Sequence, residues 1–339
     1  MQSARKSRST RRGRRRALAL IGGALAAPWI FGSAARAQAA WPSRPVRYIN
    51  PYPPGGPTDT LSRLLCASLS EITGQQFVVE NRGGDGGDLG VEMVARSEPD
   101  GYTIGLGGIA SHAISPTLKA GKMRFDAAKD FTFVSTMWSL PNFLVGNLSV
   151  PASNVPELIE LLRRNPKKYF YGHSGAGTTP HLSGVLFKLL ADVDLIDVPY
   201  KGTAPAMIDL LGGQVHFVFD NIPGALAQYK AGKVKGYAVT SAARSPVVPD
   251  FPSLGEFLPG YDLSSWTALV GPARIAPAVV ERMSMFMKQA LESPDLRQKY
   301  LERGATAWYQ APAATMAYRA SEEKRLGDLI RKAKISIDG

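Results

Sequence analysis

Runs of β-branched and aromatic residues suited to buried strands alternate, from residue 46 onward, with runs of helical periodicity, and this alternation confines the chain to an α/β fold. Val46–Asn50 predicts a strand, Thr58–Thr73 a helix and Gln76–Glu80 a strand; a glycine-rich loop then leads into a helix reaching about Arg96, before a strand at Tyr102–Leu106. A second series places strands at Phe143–Asn147, Tyr169–Tyr171, Leu195–Val198, Val215–Phe219 and Gly236–Thr240, separated by helices at Val155–Asn165, Pro180–Leu190, Ala204–Leu211 and Pro223–Ala231. The order predicts parallel sheets in two similar lobes. Trp266–Val270 adds a strand, and helices at Pro277–Leu291 and Ala313–Lys334 return to the first lobe. The expected division is therefore 40–140 plus 265–339 for lobe 1 and 141–264 for lobe 2, with Pro246–Pro259 as a surface connection.

The segment before residue 40 reads as a secretory leader. Arg5, Lys6, Arg8, Arg11, Arg12, Arg14, Arg15 and Arg16 form a basic head, Ala17–Ile30 is apolar and small, and cleavage is expected near Ala37 or Ala39. Its arginine pairs suit either general secretory or twin-arginine export. Nine of the chain's 40 Lys and Arg and none of its 28 acids precede residue 38, so losing the leader lowers the formal net charge of +12 by nine, to +3. The basic balance is thus an address, and nucleic-acid binding drops out. About 300 mature residues suit two domains, and the single cysteine, Cys66, excludes an intramolecular disulfide. No later apolar run approaches the ~20 residues that span a bilayer. A periplasmic monomer is expected.

In open α/β sheets ligands bind beyond the carboxyl ends of strands, so the loops there carry the functional argument. Pro51-Tyr52-Pro53-Pro54-Gly55-Gly56-Pro57-Thr58-Asp59 joins a strand to a helix start and has the makings of an anion cradle: stiff prolines, two glycines that permit close backbone approach, and free N–H groups at the positive end of a helix. Two further strand-to-helix loops, Asn81–Gly90 and Gly172–His181, are rich in Gly, Ser and Thr, and together the three predict a polar cleft between lobes. The candidate ligand contacts are Pro54, Gly55, Gly56, Thr58 and Asp59; Gly87 and Asp88; Ser111; Ser174, Gly175, Thr178 and Thr179; Tyr200; and Asp220 with Asn221 at a strand end. Tyr200 also reads as a core residue and Asp59 as a first-turn acid favoured by the helix dipole.

These loops imitate enzyme motifs without completing them. Leu89 stands where a dinucleotide fingerprint needs glycine, and no P-loop lysine occurs. Gly172-His173-Ser174-Gly175-Ala176 approaches a nucleophile elbow, which keeps a secreted serine hydrolase using Ser174 as an alternative, but only His181 and His216 follow it as bases. The histidines at 112, 173, 181 and 216 show no metal-ligand spacing, so neither metal nor cofactor is expected.

Trp41–Pro45, Pro51–Asp59, Asn81-Arg82, Ser174–Leu182, Val198–Pro205, Asp209–Val215 and Ser265-Trp266 together resemble the Bug family, the periplasmic substrate-binding proteins of tripartite tricarboxylate transporters. The resemblance covers nearly all of the mature chain. It implies a two-lobed, type II periplasmic-binding-protein (Venus-flytrap) fold and no catalysis, with a small carboxylate, amino acid or amide between the lobes for delivery to transporter membrane subunits. A sensor kinase is the alternative partner. By position, the Pro53–Asp59 and Ser174–Thr179 loops would hold the ligand from opposite lobes, with Asp220-Asn221 at its other end. Asp85, Asp88, Ser115, His173 and the segment Gly271–Pro277 depart from the family pattern. In the cleft, Asp88 would oppose polyanions and favour an ammonium or amide donor; as the N-cap of the following helix it would leave ligand choice alone.

Overall fold

The computed structural model describes residues 41–200 and 202–336, so the expected leader lies outside the described residues. In chain order the strands are β1 (Val46–Asn50), β2 (Phe77–Asn81), β3 (Thr103–Gly108), β4 (Phe131–Gly146), β5 (Phe170–His173), β6 (Ile196–Pro199), β7 (Phe217–Asn221), β8 (Lys235–Val239), β9 (Ser264–Pro272) and β10 (Thr306–Ala307). The helices are α1 (Pro57–Thr73), α2 (Asp88–Ala95), α3 (Ser115–Leu118), α4 (Val155–Arg164), α5 (Thr179–Ala191), α6 (Thr203–Leu211), α7 (Ile222–Lys230), α8 (Pro277–Glu292), α9 (Pro294–Leu301) and α10 (Pro312–Lys332).

Two groups of parallel strands are built as the alternation implies: β2-β1-β3 in one, β7-β5-β6 in the other. The expectation of wholly parallel sheets fails at the middle. β9 runs antiparallel to β3 and to β4, and β4 runs antiparallel to β7 and β8. β4 is the shared member. It pairs with β9 as far as Pro141↔Ser264, and from Asn142↔Asn221 onward it pairs with β7. The first half of β4, beginning Phe131-Thr132-Phe133-Val134, escapes the sequence reading, which starts the strand at Phe143. Nearly every residue of β4 is buried, so the in-out alternation that marks a half-exposed strand is missing.

Helix α1 shows how local sequence sets an element's limits. Pro57 occupies its first turn, where a missing N–H costs nothing, and Gly74 ends it in the left-handed region at φ 68°, donating its N–H to Ser70 O. Its buried face, Leu61, Leu65, Cys66 and Leu69, follows helical spacing. Cys66 is a free, buried thiol.

One core cluster gathers Tyr48, Leu65, Val134, Trp138, Met287 and Tyr300; another gathers Phe143, Val145, Ala206, Leu210 and Val218. A third runs between them, joining Ile49, Val91 and Ile114 to Leu182, Phe219 and Trp266, and α10 closes it with Leu326 and Ile330. Residues 246–259 are more than a surface connection. Val248, Leu254 and Leu258 are buried there, and Ser253 and Glu256 cap a short 3₁₀ turn reciprocally.

Candidate ligand cleft

The carboxyl ends of β1 and β3 on one side, and of β5 and β7 on the other, border a cavity of about 580 Å³. Tyr52–Pro54 and Gly56–Thr58 line it after β1, Gly108–Ser111, Ser115 and Lys119 after β3, Ser174 and Ala176–Pro180 after β5, and Asn221 at the end of β7. Trp138, Leu140 and Ser265–Thr267, from the strands that pass between the two groups, complete the wall.

The first loop reaches the cavity because Gly55 takes φ +82°, a left-handed conformation that carries the chain through the turn into α1. Gly56 is then the N-cap and has no side chain to satisfy the helix's first amides; Pro57 carries none, and the Thr58 amide belongs to the cavity wall. The first turn of a 17-residue helix is therefore presented as an anion site. On the opposite side Thr178 caps α5, accepting from His181 N, and its hydroxyl donates to Gly175 O at 2.7 Å. Thr179 Oγ1 lies 2.8 Å from Ser265 Oγ.

Among the described residues, fixed dipoles and not free cations set the polarity of this wall. Lys119 lines the cavity, but its three N–H groups go to Asp85 O at 2.9 Å, Asp85 Oδ1 at 2.8 Å and Asp88 Oδ2 at 2.8 Å. Two lining residues hold unspent polar atoms: Asn221 Oδ1 and Trp266 Nε1 are buried with no hydrogen-bond partner among the described residues. An unpaired buried polar atom is costly, and a polar ligand would satisfy it. Burial, reinforced by the Asp88 charge, pushes the Tyr52 phenol up to about 12, so it stays a neutral hydroxyl.

Of the candidate contacts, Pro54, Gly56, Thr58, Ser111, Ser174, Thr178, Thr179 and Asn221 lie in the cavity wall. Gly55, Asp59, Gly87, Asp88, Gly175, Tyr200 and Asp220 stand behind it. Asp59 is buried and accepts from Gly55 N at 2.9 Å, Arg63 Nε at 3.1 Å and Asn81 Nδ2 at 2.9 Å, which braces the first loop. Gly87 abuts the Tyr52 ring. Tyr200 donates to Asp209 Oδ2 at 2.7 Å. Asp220 is buried and accepts from Asn221 N at 2.7 Å; burial pushes its carboxyl up to about 6.

Asp88 corrects both accounts offered for it. It is the first residue of α2 behind the N-cap Gly87, makes no cap hydrogen bond, and lies outside the wall, bonded to two residues that line it, Lys119 and the Ser115 hydroxyl. The sequence reading passes over Ile109, Ala110, Lys119, Trp138 and Thr267. Gly107-Gly108 at the end of β3 is the available signal for the first two, and nothing local marks the others, which arrive through the crossing strands and the chain beyond the π-helical turn Ala110–Ile114.

The hydrolase alternative gains no support from the geometry. Each imidazole beside Ser174 spends Nδ1 on the loop backbone, His173 accepting from Gly175 N at 3.2 Å and His181 from Gly177 N at 3.1 Å, and Ser174 makes no hydrogen bond to either ring.

The model of the family described as tripartite tricarboxylate transporter family receptor, TctC, matches residues 61–335. Protein BugT of Bordetella pertussis is 31% identical over 293 residues, 86% of this chain and 90% of that protein. The structure of an R. palustris protein with adipate superposes with a TM-score of 0.77 at 36% identity, covering 87% of this chain and 99% of the other. MatC from Rhodopseudomonas palustris with bound malate gives 0.72 at 32%, covering 86% and 100%. The Bug resemblance and the two-lobed periplasmic-binding-protein fold are borne out by these relatives.

Proposed function

The chain belongs to the tripartite tricarboxylate transporter receptor family, whose members are periplasmic substrate-binding proteins and not enzymes, and on that premise we propose that it captures a small aliphatic dicarboxylate. One observation carries the reading: the first turns of α1 and α5, from opposite sides, line a single cavity of about 580 Å³ whose lysine is already committed to two acids. Each helix start favours one anionic group through its dipole, α1 with the Thr58 amide as well, while in α5 Pro180 has no N–H and Thr178 already holds the His181 amide, so the pair suits a ligand with a carboxylate at either end. Adipate and malate, bound by the two solved relatives, are both of that class.

Asp88 offers an amine no direct contact, since it lies outside the wall and is paired to Lys119, which it shares with Asp85. Asn221 Oδ1 suits a ligand hydroxyl that donates to it, and Trp266 Nε1 can donate to a carboxylate or hydroxyl oxygen. In this reading residues 1–39 direct export and are removed, and the loaded protein delivers its ligand to transporter membrane subunits. The lobes divide where β4 and β9 cross, near Pro141 and Ser264, and close on the ligand by bending there.

Native mass spectrometry of protein purified from its own periplasm tests the reading. A retained mass matching a four- to eight-carbon diacid is expected; a retained amine, or a monoacid alone, would contradict it.

A further inference from the structure

We propose that His173, His181 and Asp197 form a binding site for a divalent transition metal, zinc being the reference ion, and that filling it loosens the loop Ser174–Thr178. The site lies on the far side of that loop from the ligand cavity and rests on its own geometry, not on the ligand assignment.

Strand β5 ends at His173, α5 carries His181 in its first turn, and Asp197 lies on β6 beside β5, paired with Tyr171. The fold thus assembles residues that show no ligand spacing in sequence. The two rings stack with centroids 4.3 Å apart. One donor atom from each of the three side chains lies within 4.8 Å of the others, the one such group of three among the described residues. His173 Nε2 is buried, has no hydrogen-bond partner, and stands 3.8 Å from Asp197 Oδ2. All three residues border a second cavity of about 390 Å³, bounded also by Lys188 and by the chain from Ala333 to Ser336.

Two imidazoles and a carboxylate are a common donor set for zinc and its neighbours. Metal–ligand bonds of about 2.0–2.2 Å place neighbouring donors roughly 3.4 Å apart in a tetrahedron. Asp197, with 47% of its side chain exposed, has the freedom to close the difference. Lys188 and Lys334 in the same wall oppose a cation and limit its affinity.

Coupling to the loop follows from the ring hydrogens. Each Nδ1 accepts a backbone N–H, from Gly175 and Gly177, so in the metal-free protein the ring hydrogen sits on Nε2. A metal on Nε2 needs that lone pair, and the hydrogen moves to Nδ1 with no net proton released. There it confronts an amide hydrogen, donor against donor. Both amides must turn away, and the loop that presents Ser174, Ala176, Gly177 and Thr178 to the main cavity is released.

The test titrates zinc alone into the tag-free protein by competition with a chromophoric chelator near pH 7.5, and follows amide exchange across residues 174–178. One bound equivalent is expected, weakened at least tenfold in His181→Ala and in Asp197→Ala. The second variant changes a half-exposed side chain, so its fold is safe. Lys188→Ala should tighten binding. Zinc should speed exchange of the Gly175 and Gly177 amides in the parent and not in Asp197→Ala. Absence of stoichiometric binding, or equal binding by the parent and Asp197→Ala, overturns the site; bound zinc with unchanged or slowed exchange overturns its action on the loop.

Discussion

Asp59 carries the shape of the cleft without touching its space. Burial works against its charge, but Arg63, the Gly55 amide and Asn81 together hold its carboxyl below the ordinary range. The stabilisation is therefore present at neutral pH and is lost as acid protonates the group. Asp59→Ala should lower ligand affinity at least tenfold and cost about 1–3 kcal/mol in denaturant unfolding. Asp59→Asn keeps an acceptor for Gly55 N and should recover most of the affinity; equal loss in both variants would make the ion pair, and not the loop contact, the operative part. Asp220 has the opposite sign. With its folded pKa raised to about 6, its contribution is fully present below about pH 4 and falls as pH rises through 6. Asp220→Asn should stabilise the protein by on the order of 2–3 kcal/mol at pH 7.5 and by nothing near pH 4; equal unfolding midpoints at pH 7.5 would contradict this. The sequence marks Asp59, Asp88, Tyr200 and Asp220 as polar residues near strand ends, but whether each meets ligand or braces a loop depends on partners as distant as Lys119 for Asp88, which no local pattern shows.

At the level of elements, the strand-to-helix loops were readable because glycine, proline and small hydroxyls have few other uses at such junctions. Helix α1 follows from its own residues, from Pro57 to the glycine that stops it. Strand β4 was half invisible because its burial on both faces erases the periodicity on which strand assignment rests. The His173–His181 pair was invisible for another reason: a turn folds eight residues back on themselves. The open start of α1 gives the sharpest prediction here. A side chain at position 56 meets nothing closer than Pro53 O at 3.8 Å, and its φ of −76° is ordinary for any residue. Gly56→Val should fold with an unchanged melting temperature and bind at least tenfold more weakly, a loss of about 1.4 kcal/mol or more. Wild-type affinity by calorimetry would remove the helix start from the site.

Across the whole molecule, the two strand groups are joined where β4 and β9 run side by side, and the cavity lies beside that junction. The Leu118 side chain fills the place where a Cβ at Gly177 would lie, so a larger residue there would make that side chain shift. Bending at residues 141 and 264 predicts a smaller radius of gyration by small-angle scattering when a tight-binding diacid saturates the protein; an unchanged value would count against closure. The central claim is that two helix starts, with no free cation among the described residues of the wall, recognise two carboxylates. Calorimetric titration of one diacid against its monoamide tests it most directly, because the pair differ by a single charge at nearly constant shape. The diacid should bind one to one and at least tenfold more tightly than the monoamide, and equal affinities, or preference for the monoamide, would contradict the account.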